Sequence, residues 1–80
     1  MVNPELLTPA ECERFQRFLR YQIECTKKTM HQMTADRIAA TEEYRASEQG
    51  QADYIVLTRL IKSIGHLQAL VEDLPRWVEA

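Results

Sequence analysis

The chain has 80 residues, 45% hydrophobic and 28% charged, with a formal net charge of -2. That length supports one domain, whose core is marginal unless disulfides, a metal or a second chain add to it. Two glycines and three prolines leave too few turn sites for a multi-strand sheet, and the slight acidity disfavours nucleic acid or a membrane surface as the main partner.

The charge is unevenly spread. Residues 8–33 carry about +2 and residues 34–53 about -3, with the remainder near neutral. The opening "MVNPELL" lacks the basic region and long apolar run of a secretory leader. No apolar run reaches the roughly 18 residues that a membrane-crossing helix needs. Cys12 and Cys25 fall in one predicted helix, about 20 Å apart along its axis, which is beyond disulfide reach. Free thiols point to a reducing, cytoplasmic setting.

Residues 1–7 read as a lead-in. "TPAE" at 8–11 then has the marks of a helix start: Thr8 caps, Pro9 suits the first turn, and Glu11 completes a capping box. From Pro9 to about Glu48 no proline or glycine interrupts, so a first helix of about 60 Å is expected. The alternative is a break at "MTAD", 33–36, where Thr34 can cap a new helix and produce a three-helix bundle. Gly50, inside "SEQGQAD", is the clear breaker and is expected to supply a left-handed cap at the tip of a hairpin.

The second helix is expected over about 51–74. Its apolar positions Leu57, Leu60, Ile64, Leu67, Val71 and Leu74 alternate by three and four, a coiled-coil seam that packs on another helix at a shallow angle. Gly65 lies inside it, at a cost of about 1 kcal/mol relative to alanine. Either another backbone approaches there or the glycine is merely tolerated. Glu72 and Asp73 oppose the dipole at the helix end, unless the helix continues past Pro75. Residues 75–80 form a C-terminal tail.

The first helix has a broader apolar face. Cys12, Phe15, Leu19, Ile23, Met30 and Met33 form one stripe, widened by Phe18, Tyr21 and Cys25. Such width serves more than one neighbour. Folding an antiparallel hairpin at Gly50 pairs residues whose numbers sum to about 100. That sets Leu60 near Ala40 and Leu67 near Met33, and brings Arg59 and Lys62 to Glu42 and Asp36. The second helix, about 36 Å long, then cannot cover the start of the first. Phe15, Phe18, Leu19 and Tyr21 are left bare, with Trp77 and Val78 reaching back only partway. Each bare aromatic forgoes about 1.5–3 kcal/mol of burial. A second copy of the chain is the expected cover, giving a homodimeric four-helix bundle.

Each candidate chemistry has a plainer alternative. "RFQRFLRY" interleaves arginine with aromatics, and Arg14, Arg17, Arg20, Lys27 and Lys28 form a basic flank. Nucleic acid is one reading of it; a solvated edge with Glu13–Arg17 and Glu24–Lys28 pairs is favoured. His31 and His66, a turn apart in the expected register, lack the ligand spacing of a metal site. Cys12, in a first helical turn, has no base placed beside it and reads as core. No glycine-rich phosphate loop exists. The expectation is therefore an all-α, non-enzymatic interaction module without cofactor or metal: an adaptor, regulator or assembly subunit. It binds itself and a further protein through Phe15, Phe18, Leu19, Tyr21, Trp77 and Val78.

Overall fold

A computed structural model of the chain describes residues 6–78. They form helices α1 (Pro9–Ala39), α2 (Glu42–Ala46) and α3 (Glu48–Asp73), followed by a 3-10 turn, Leu74–Trp77. Among the described residues no strand occurs, and one isolated bridge joins Leu7 to Val78. The chain is an antiparallel helical hairpin in which α1 packs on α3. The parts of the expected lead-in and tail at 1–5 and 79–80 lie outside the described residues.

The start of α1 follows from its sequence. Thr8 Oγ1 accepts from the Glu11 N–H at 3.2 Å, and the Thr8 N–H donates to Glu11 Oε1 at 3.1 Å, with Pro9 in the first turn. The hydrogen bond from the Thr8 backbone holds the Glu11 carboxyl below its usual pKa. At Thr34 the helix does not break. Its hydroxyl donates back to the Met30 carbonyl at 2.8 Å, a satisfied mid-helix threonine, and no third long helix forms there.

Three expectations are corrected. First, α1 stops at Ala39 instead of reaching Glu48. Ala40 is extended (ψ 156°), and Thr41 opens a new helix by accepting the Tyr44 N–H at 3.1 Å. Six residues on, Ser47 does the same for α3, accepting the Gly50 N–H at 3.1 Å. Both hydroxyls are followed by glutamates, Glu42 and Glu43 after Thr41 and Glu48 after Ser47. Caps and acidic first turns stabilise these starts at the expense of one continuous rod.

Second, Gly50 is not the hairpin tip. It sits buried in the first turn of α3, and no glycine has a positive φ. Its value lies in space: a Cβ built there would run into the Tyr44 carbonyl oxygen and lie 2.8 Å from the backbone of Arg45. Glycine lets α3 pass this close to α2.

Third, the register differs. Gln16 Nε2 donates to the Val71 carbonyl at 3.1 Å, and Arg37 Nη1 to the Gly50 carbonyl at 2.7 Å. Both pairs reflect about a point between Glu43 and Tyr44, because the bend is the whole 40–47 segment and not Gly50. The predicted overhang disappears: α1, of 31 residues, is matched by the 26 of α3 and the 4 of the 3-10 turn. The Leu7 N–H donates to the Trp77 carbonyl at 2.7 Å, so the tail reaches the beginning of α1. Arg59 and Lys62 consequently do not meet Glu42 and Asp36. The ion pairs among the described residues are local: Glu13–Arg17 at 3.1 Å, Glu24–Lys27 (not Lys28) at 3.9 Å and Asp73–Arg76 at 3.9 Å. The last of these lies where the chain continues past Pro75 as the 3-10 turn.

The α3 seam forms as expected. Leu57 and Ile64 are buried, with Leu60, Leu67, Val71 and Leu74 half-buried beside them. Cys12 and Ile23 complete the buried apolar set. Two helices enclose one seam and no more. Gly65 faces open space, with nothing within 4 Å of a built Cβ. Gly65→Ala is therefore expected to stabilise the hairpin by up to about 1 kcal/mol, read as a raised thermal midpoint in circular dichroism. A drop would mean that a second chain's backbone fills that space.

Candidate association surface

Of the six residues expected to bind partners, the structure brings three into one groove. Phe15, Phe18 and Leu19 form its α1 wall, and Leu70 and Leu74 form its α3 wall. The groove has a volume of about 750 Å³, closes against Leu7 at the tail, and has Arg14 on its rim. Phe18 is 58% exposed and Leu70 51% exposed, although the helices under them are complete. Tyr21 is also exposed but does not line this groove. Its hydrogen bond with Cys25, one turn on, pushes its pKa up. Trp77 is exposed in the 3-10 turn, whereas Val78 is half-buried beside Leu7.

Leu70 and Leu74 were absent from the expected surface because the assumed register placed Leu74 near Thr26. The signal was available: Leu60, Leu67 and Leu74 repeat every seven residues, and Val56, Ser63 and Leu70 repeat beside them. α3 therefore carries a second apolar line flanking its buried seam.

A second groove, of about 510 Å³, lies at the bend and includes Met33, Asp36, Ala40, Tyr44 and Asp53. Its geometry is held by α2. The Tyr44 hydroxyl donates to Asp53 Oδ2 at 2.7 Å, and Gln49 Nε2 donates to Asp53 Oδ1 at 2.9 Å. Arg37, in the last turn of α1, holds the Gly50 carbonyl and lies 5.0 Å from the Tyr54 ring centre. Arg45 Nη1 donates to the Arg37 carbonyl at 3.3 Å, which also accepts the Ala40 N–H at 3.2 Å where α1 ends.

The hydrogen bond from Tyr44, then that from Gln49, lowers the Asp53 pKa; the same bond to Asp53 raises that of Tyr44. Asp53's contribution to stability is thus present above the ordinary carboxylate pKa and is lost as pH falls through its lowered value. Tyr44's is present below the ordinary tyrosine pKa and is lost as pH rises through its raised value. Tyr44→Phe is expected to move the Asp53 pKa upward and to flatten the acid side of the stability profile. Carboxyl chemical shifts followed against pH measure this, and an unmoved Asp53 would remove the bond from the bend.

The basic residues are divided in their surroundings. Arg17 and Lys27 sit beside carboxylates one turn away, Arg14 borders the apolar groove, and Arg20 and Lys28 are exposed. His31 lines a groove with Ile61, Ile64 and Gly65, and His66, next to Gly65 in the chain, does not line it. Among the described residues no cluster of three or more His, Cys, Asp or Glu has the arrangement of a metal site. Cys12 is buried and Cys25 exposed, both as free thiols. No described helix is long and apolar enough to cross a membrane. Comparison with protein-family models, with curated proteins and with solved structures found no match to this chain.

Proposed function

We propose that this chain is a non-enzymatic helical association module that pairs with a second copy of itself as a dimeric four-helix bundle. One observation carries the reading. The accessible surface is 6444 Å², against about 5,000 Å² for a compact monomer of 9.4 kDa. The excess reflects an elongated hairpin whose apolar groove, with Phe18 58% and Leu70 51% exposed, is left uncovered. The Cα radius of gyration, 18.0 Å, likewise exceeds the roughly 12 Å of a compact chain of this length.

A flat body of 63 × 17 × 13 Å is the shape of half a bundle. Two such bodies stacked face to face give the four-helix cross-section and the two-sided core that one hairpin lacks. The grooved face, with Phe15, Phe18, Leu19 and Leu70, is the one to cover. Tyr21 and Trp77 then stay on the outside as contacts for a further protein, which suits an adaptor, a regulator or an assembly subunit.

Sedimentation equilibrium across 1–100 μM is expected to give twice the chain mass. A single-chain mass throughout, together with salt-sensitive retention on duplex DNA, would instead favour the basic flank of α1 as the working surface.

A further inference from the structure

We infer that the two copies pair antiparallel, bend against tail, about a two-fold axis passing beside Cys25 and Ser63. The inference rests on the self-association just proposed and goes further, to its geometry.

Both grooves lie over one face of the hairpin. On α1, Leu19, Met33 and Ala40 occupy one heptad position, and Phe15 and Asp36 occupy another. On α3, Asp53 and Leu74 do the same. The groove at the tail is walled by aromatics and leucines with Arg14 at its edge, and the groove at the bend is edged by Asp36 and Asp53.

Three features share one centre. On α3 the facing line reads Val56, Ser63, Leu70, large–small–large, and is symmetric about Ser63. The flanking pair Leu60 and Leu67 is symmetric about the same place. On α1, Arg14 and Asp36 stand equally far from Cys25, on either side. The hydrogen bonds Gln16–Val71 and Arg37–Gly50 put residue 63 level with residue 24. A two-fold axis across the face at that level therefore lays α3 on α3 of the second copy and α1 on α1, each pair antiparallel. It brings Arg14 to Asp36 at both ends, opposite charges that favour this register. The small Ser63 side chains at the centre permit close approach, and Phe15 and Phe18 enter the bend groove beside Ala40 and Met33, whose thioether adapts to fill gaps.

The competing arrangement has both bends at the same end. It lays α1 on α3 of the second copy, sets Asp36 level with Asp53, and keeps the two Cys25 thiols on separate helix pairs. The axis proposed here brings Cys25 level with its own copy, so a disulfide, which needs a Cα separation of about 4.4–6.8 Å, reports the approach. Cys25 is the exposed thiol, while Cys12 is buried.

The test uses the full chain and diamide, which takes one hydrogen from each of two thiols and leaves one S–S bond. The expected result is rapid conversion to a covalent dimer and nothing larger, abolished in Cys25→Ser. In parallel, Arg14→Asp is expected to weaken the dimer by about tenfold, and adding Asp36→Arg should restore it to within about threefold. A dimer by sedimentation that diamide fails to link, or a double variant no tighter than Arg14→Asp alone, overturns the antiparallel geometry and leaves self-association standing. A monomer at every concentration overturns both.

Discussion

Leu70→Asp is expected to reduce the assembly to single hairpins at tens of micromolar, with the helix content unchanged. Leu70 is half exposed in the isolated chain, so the substitution leaves the α1–α3 seam intact. In the dimer it loses the remaining half of a leucine's burial, about 0.75–1.5 kcal/mol, and it does so twice because the interface is two-fold. The sum, about 1.5–3 kcal/mol, corresponds to a dissociation constant raised by roughly 10 to 10². Phe18→Asp should behave alike. Ile61→Asp is the control: Ile61 is as exposed as Leu70 but lines a different groove, beside Met30 and Gln68, and its loss should leave the dimer intact. Sedimentation velocity with parallel circular dichroism separates these outcomes. If Ile61→Asp dissociates the dimer and Leu70→Asp does not, the interface lies on the opposite face of the hairpin.

Gly50→Ala is expected to lower the thermal midpoint even though alanine is the better helix former. Propensity alone would favour alanine by about 1 kcal/mol. The built Cβ, however, meets the Tyr44 carbonyl and the Arg45 backbone, and backbone yields far less readily than the end of a side chain. Overpacking of this kind costs about 1–3 kcal/mol. In a domain of this size each kcal/mol moves the midpoint by about 4–8 °C. The opposite sign expected for Gly65→Ala, which meets nothing, makes the two glycines an internal pair for comparison. An unchanged midpoint for Gly50→Ala would mean that α2 does not pass over α3 as closely as described.

The two glycines also show where local reading stops. Both stand in helical surroundings, and the sequence marks Gly50 as a breaker because it sits among polar residues. Its actual role depends on a carbonyl six positions earlier, which is invisible until the chain is folded. The bend could have been placed better from sequence: Thr41 and Ser47 each precede glutamates, the pattern of a helix start. A turn at Gly50 instead of at these caps shifts the turning point, and with it every pairing along the hairpin. Leu74 then seemed to stop at Thr26, and the beginning of α1 seemed to be bare for want of length. The aromatics there are indeed exposed, but because they flank the seam; α3 and the tail run the full length beside them.

Local signals settled the all-helical class, the capping box that starts α1 at Thr8 and the α3 seam, because these depend on neighbours within a turn or two. Register, the groove shared by Phe18 and Leu70, and the clasp of Arg37 on Gly50 came only with folding. Each joins residues far apart in the chain, and a shift in a single bend moves all such pairs together while changing nothing local.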